Sequence, residues 1–171
     1  MNFTVSTGEV NKAINIMKEV AAWGRSVGYR VWLDEWLSKD KLMTADVKEE
    51  NFCIGKVDGI DACTMILQWV DNYFWSDSPL NEAGYIHKLC VRRSFAGKNI
   101  SKKMVEYAKE QCRIRGVKYL RLDTGWDETK MKEIYTGLGF EIVKKLEFNN
   151  GRAIALYELK VECLADIVSE F

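Results

Sequence analysis

Residues 91–103 read VRRSFAGKNISKK, and the reading of this stretch decides what kind of chain it belongs to. A strand-like apolar run from Tyr85 to Val91 ends here, a turn containing Gly97 and Asn99 follows, and a helical pattern begins at once. Five of the thirteen residues are basic. Strand, tight cationic turn and helix together build an anion site, because N–H groups at a helix start have no intrahelical partner and point at phosphate oxygens. The alternative is a solvated basic helix start, which the stretch alone does not exclude. A nucleotide P-loop is excluded: it needs a glycine five positions before Gly97, where Arg92 stands.

Working outward, Ile100, Met104, Ala108 and Cys112 are spaced for one face of a helix that Gly116 would stop. VKYLRLDT (117–124) reads as a strand. Asp127 is expected to cap a further helix whose Met131, Ile134, Tyr135 and Leu138 face inward, with Gly139 at its end. FEIVKKLEF, the turn NNG and RAIALYELKV make a closing hairpin, and residues 162–171 form a short tail with no assigned element. On the other side, a short strand at Phe3–Val5 precedes Ser6 and Glu9, which have capping-box spacing. Val10, Ala13, Ile14, Met17 and Ala21 then mark a helix face. The Trp-rich stretch VWLDEWLSK (31–39) is predicted helical. Residues 51–69 form a hairpin turned at Asp58-Gly59, and 70–84 is an aromatic-rich loop. Without linkers, repeats or low-complexity segments, the pattern is one α/β domain over residues 1–171.

Composition narrows the function classes. The chain has 171 residues, 47% hydrophobic and 29% charged, with 25 basic and 25 acidic side chains. A net charge of zero argues against non-specific nucleic-acid binding. Arg92, Arg93, Lys98, Lys102 and Lys103 therefore stand out as a local excess. The five cysteines (Cys53, Cys63, Cys90, Cys112, Cys163) are scattered without C-x-x-C spacing, and there is one histidine, His87. This fits neither a disulfide framework nor a metal site. No signal peptide or membrane-length apolar run is read, so a reduced, cytoplasmic setting with no membrane partner is expected.

Three segments in order, YIHKLCV, FAGKNIS opening a helix, and IYTGLGF beyond the next strand, resemble the GNAT family of N-acetyltransferases over about residues 50–160. IYTGLGF is similar to the family's Tyr-x-x-x-Gly-Phe segment, and Leu89-Cys90-Val91 to its Leu-x-Val strand end. The resemblance implies a mixed, mostly antiparallel central sheet flanked by helices. It also implies acetyl-CoA as cosubstrate, direct acetyl transfer to a primary amine (small molecule, amino acid or peptide), and it admits a homodimer. The phosphate turn departs from the family pattern: Ala96, Asn99 and Ser101 stand where Arg or Gln, Gly, and Gly or Ala are usual. Asn tolerates left-handed backbone better than most residues. A second hypothesis follows from those departures, a non-catalytic module of the same fold that binds CoA or a protein partner.

The resemblance gives the cofactor to Leu89, Cys90 and Val91 through main-chain groups, to Ala96, Gly97, Lys98, Asn99, Ile100, Ser101 and Lys102 in the turn, and to Glu128, which stands where relatives carry Asn. Tyr135 is the candidate acid, since a phenol near pKa 10 can protonate a departing thiolate near 8.5. His87 is the candidate base, with an ordinary pKa near neutrality. Strand alternation would put His87 on the face of Tyr85, Leu89 and Val91 and leave Cys90 opposite, as packing rather than nucleophile. Each candidate has a plain structural counterpart: an apolar-stripe tyrosine, a core histidine, a helix-start glutamate. Trp32, Trp36, Trp69, Tyr73, Phe74, Trp75 and Tyr85 are candidates for the acceptor site. With Asp34, Glu35 or Asp71 they could hold a cationic amine by charge and cation–π contact.

Overall fold

The computed structural model describes residues 1–162, and the expected tail from 163 on lies outside the described residues. Seven strands are hydrogen-bonded in the order β1-β2-β3-β4-β5-β7-β6. They are β1 (Phe3–Thr7), β2 (Phe52–Val57), β3 (Ile60–Gln68), β4 (Ala83–Val91), β5 (Tyr119–Gly125), β6 (Glu141–Glu147) and β7 (Ala153–Lys160). Among the described residues four α-helices accompany them: α1 (Val10–Ser26), α2 (Lys39–Leu42), α3 (Ile100–Arg115) and α4 (Thr129–Gly137). β4 and β5 pair in parallel, as a crossover through α3 requires, while β1–β2, β2–β3, β5–β7 and β6–β7 pair antiparallel. The expected mixed, mostly antiparallel sheet is therefore present.

The backbone clusters into two compact units. The first comprises Met1–Gln68 and Lys88–Met104. Its β2–β3 hairpin turns where expected, with Asp58 and Gly59 both at positive φ (48° and 82°). Val10, Ala13, Ile14, Met17 and Ala21 of α1 are buried against Phe52, Ile54, Ile66 and Cys90. Two expectations fail here. Ser6 does not cap α1. It lies in β1 and its hydroxyl donates to the Glu9 carboxylate at 2.7 Å, while Glu9 is the N-cap residue without a side-chain cap bond. The stretch 31–39 is not a helix either: one 3-10 turn at Asp34–Trp36 and the four-residue α2 take its place. Of its apolar residues Leu37 is buried but Leu33 and Trp36 are exposed, so no continuous apolar stripe forms to pack a longer helix.

The second unit comprises, among the described residues, Trp69–His87 and residues 105–162. β5 pairs β7 along its whole length, from Tyr119↔Lys160 to Gly125↔Ile154, and β6 closes the hairpin against β7. Arg121 is buried in this unit: it bonds Glu158 at 2.8 Å, Glu82 at 3.2 Å and Ser78 Oγ at 2.8 Å, and stacks 4.3 Å from Trp75. This network ties the 75–82 loop to β5. The predicted cap Asp127 is displaced by one residue, because α4 starts at Thr129 with Glu128 as its N-cap. Ile134 is exposed and Met131 and Leu138 are half-buried, leaving Tyr135 as the buried residue of α4. A nine-residue helix turns too little surface inward for the four-residue stripe that periodicity suggested. Gly139 ends it at φ +97°, as expected.

Candidate active site

In the first unit, the turn after β4 is shaped by two left-handed residues, Gly97 (φ +75°) and Asn99 (φ +57°). Nothing lies within 4 Å of where a Gly97 Cβ would stand, so backbone conformation and not space calls for glycine there. The Ala96 N–H donates to the Arg93 carbonyl at 3.1 Å, and the first bond of α3 runs from the Lys103 N–H to the Asn99 carbonyl at 3.2 Å. The N–H groups of Gly97 to Lys102 precede that bond. Successive N–H groups around left-handed residues at a helix start form a concave anion receptor. Arg92 and Arg93 are not part of it. Arg92 Nε bonds both Glu19 carboxylate oxygens at 3.1 Å, and the Arg93 guanidinium sits 3.9 Å from the Trp23 ring. Lys98, Lys102 and Lys103 also lie at the turn and the first turn of α3, with Lys98 Nζ 5.5 Å from the Phe95 ring and Lys103 Nζ 5.9 Å from the Phe3 ring.

β4 itself departs from regular alternation, because Lys88 has φ +56°. A left-handed residue interrupts the regular alternation on which the expectation that Leu89 and Val91 share a face with His87 rests. Cys90 packs among Ile54, Ile66 and the α1 residues, and Lys88 reaches over the Trp32 ring at 5.1 Å.

In the second unit, His87 lies between two carboxylates. Its Nε2 is 2.9 Å from Asp71 Oδ2 and its Nδ1 is 3.4 Å from Asp123 Oδ2. Asp71 is 4% exposed, and its other oxygen accepts the N–H groups of Tyr73 and Phe74 at 3.1 Å each. Burial pushes the Asp71 carboxyl up, but the His87 bond and charge and the two N–H donors outweigh it and hold it below its ordinary value. The parallel register aligns Tyr85 with Arg121, so His87 and Asp123 each stand two residues further on. The three groups lie within 4.8 Å of one another, a spacing metal sites also use. Here the carboxylates take opposite ring nitrogens, which argues against one ion meeting all three.

By alternation along β5, Thr124 turns away from the face of Arg121 and Asp123. It bonds the Tyr157 hydroxyl at 2.9 Å, and the Tyr135 ring packs edge-on against Tyr157 (5.8 Å) and Phe140 (6.0 Å). Burial raises the Tyr157 phenol; the Thr124 bond opposes this and the Glu128 charge adds to it. The Glu128 carboxylate accepts the Gly125 N–H at 3.0 Å, closing the turn before α4.

The acetyltransferase (GNAT) family model matches residues 17–140. The chain belongs to the acetyltransferase (GNAT) family. It is similar to YesJ of Bacillus subtilis (strain 168), an uncharacterized N-acetyltransferase, at 25% identity over 134 residues, covering 75% of this chain and 74% of YesJ. A GNAT-family acetyltransferase from Listeria monocytogenes has the same fold (TM-score 0.70, 22% identity, 92% of this chain and 94% of the other). So does the paiA N-acetyltransferase of Thermoplasma acidophilum, solved with coenzyme A (TM-score 0.66, 16% identity, 94% and 99%). The protein is accordingly an acetyl-CoA-dependent N-acetyltransferase.

The residues of this GNAT enzyme fit that cosubstrate. Asn99 adopts the left-handed conformation that the departure from glycine put at issue. Trp36 and Tyr73 are exposed, Trp69 stacks 4.2 Å from Arg115, and Asp34 is paired with Arg25 at 3.1 Å. Trp75 and Tyr85 belong to the Arg121 network, where the Tyr85 hydroxyl meets Ser78 at 3.0 Å. The buried thiols are pushed up by burial, Cys53 and Cys63 to about 12 and Cys112 to about 11, with Cys90 also raised, which makes them poor nucleophiles. Asp123 and Tyr157 were missed by sequence reasoning. Asp123 carried one usable signal: it sits at the end of a strand next to the strand of the lone histidine. Among the described residues no helix is long and apolar enough to cross a membrane.

Proposed function

We propose that the chain works as one acetyltransferase domain on a primary amine, with the roles divided as follows. The N–H groups of Gly97 to Lys102 hold the diphosphate of acetyl-CoA, Lys98 and Lys102 offset its charge, and Ala96 lines the turn. Main-chain groups of Leu89, Cys90 and Val91 hold the pantetheine arm. Acetyl-CoA supplies the activated acetyl group as a thioester. His87 takes a proton from the incoming ammonium, freeing the nitrogen lone pair for attack at the carbonyl carbon. The new N–C bond forms as the C–S bond breaks, the Tyr135 hydroxyl gives a proton to the departing sulfur, and the second proton shed by the acylated nitrogen restores the phenol, leaving the neutral amide. Glu128 acts through the turn it closes.

One observation carries this reading: Gly97 and Asn99 are both left-handed immediately before the first bond of α3, an arrangement that gathers donors for an anion. The Tyr135 role is supported by its buried, edge-packed ring, which would present the hydroxyl in one orientation. Tyr135→Phe should lower turnover on the order of a hundredfold, the usual scale for a lost proton donor, with acetyl-CoA affinity by calorimetry unchanged. Undiminished turnover would remove Tyr135 from the chemistry. The absence of a nucleic-acid partner is consistent with the balanced charge of the chain.

A further inference from the structure

Resting on the reading of Tyr135 as the acid, we infer that Trp126 is a positioning residue for it, acting through two lysines clasped on its indole. The need is mechanical. α4 is nine residues long and fully buries one of them, Tyr135. Packing at one point fixes where a helix touches the sheet but lets it roll about that point, and a roll swings the phenol hydroxyl. A second hold is present one turn earlier. Lys132, three residues before Tyr135 and so its neighbour on the helix surface, sets its ammonium 3.7 Å from the centre of the Trp126 ring. Lys145 of β6 brings a second ammonium to 4.6 Å from the same centre, while also pairing with Glu147 at 3.0 Å.

The root of the indole is itself fixed. The Trp126 N–H donates to the Ala153 carbonyl of β7 at 2.9 Å, and the Glu128 carboxylate closes the preceding turn on the Gly125 N–H. One ring therefore joins α4 to β6 and β7. Indole is the aromatic face that attracts cations best, and the attraction grows where the ammonium is shielded from water, as on half-buried Lys132. Lys145 is the more exposed of the two, so Lys132 carries the larger share of the hold. With the clasp at the first turn and the Tyr135 packing on Phe140 and Tyr157 towards the end, α4 resists rolling. A misplaced proton donor costs rate and not binding, because an ångström at the reacting atoms is worth up to about a hundredfold.

Trp126→Leu keeps apolar bulk and removes the ring face. It should lower kcat roughly tenfold, with both KM values and the calorimetric acetyl-CoA affinity within about twofold of wild type. Trp126→Phe, which keeps an aromatic face, should restore most of the rate. Lys132→Met removes one ammonium at the surface and should reproduce part of the loss, and it decides the matter if Trp126→Leu does not fold. On a Tyr135→Phe background either substitution should slow the enzyme no further, since both act through the same hydroxyl. An undiminished kcat in Lys132→Met, or an equal further loss on the Tyr135→Phe background, would overturn the clasp and leave Tyr135 as the acid. Full turnover in Tyr135→Phe alone would overturn the acid and the clasp together.

Discussion

The turn at Ala96–Lys102 and the cluster around His87 are assembled in opposite ways. In the turn, neighbours in sequence supply main-chain N–H groups, and side chains matter mainly through the φ values they permit at Gly97 and Asn99. Around His87, three side chains from a loop and two strands meet, and the backbone only delivers them. A main-chain receptor should tolerate lost side chains and fail on lost conformation. A side-chain cluster should do the reverse and respond to pH.

The sharpest way to break that contrast is through Asp71. Its carboxyl is lowered in the folded chain, so its stabilising contribution is present above the ordinary Asp range near 3.9 and is lost as pH falls through the lower folded value. At neutral pH, urea unfolding should find Asp71→Asn less stable by about 2 kcal/mol, the scale of a bond between charged partners. The gap should close on acidification, and a gap independent of pH would deny the ion pair. Next in size, Gly97→Val forces a β-branched residue into left-handed backbone at about 1–2 kcal/mol. Acetyl-CoA should bind roughly tenfold more weakly, while Asn99→Gly leaves affinity nearly unchanged. Equal losses in both would mean that side chains, not conformation, make the turn. The smallest effect belongs to Lys98→Ala: about a twofold loss of affinity that shrinks with added salt, as expected for an exposed charge.

The same contrast explains what could be read in the sequence. Residues 91–103, the Asp58-Gly59 hairpin and the Ile100–Met104–Ala108–Cys112 stripe are local signals, and each was legible because spacing and turn chemistry act over a few residues. Asp71 and Asp123 were not legible as partners of His87. Their meeting depends on strand order and on the parallel register that aligns Tyr85 with Arg121. The interruption of alternation at Lys88 was not legible either, because nothing in its side chain announces φ +56°. Ile134 had helical spacing but lies on a helix that buries a single residue, and Leu138 falls just past its end as the C-cap.

The buried thiols have a consequence for how motion in this molecule can be followed. Cys53, Cys63 and Cys90 lie in the first compact unit and Cys112 in the second. A thiol reagent reacts only with the accessible thiolate, and burial suppresses both access and ionisation at all four. Labelling therefore waits for local opening, and its rate at each cysteine measures the opening free energy of that neighbourhood. With Cys163 replaced, the protein carries its own clocks, three in one unit and one in the other, for comparing how the two units breathe with and without acetyl-CoA.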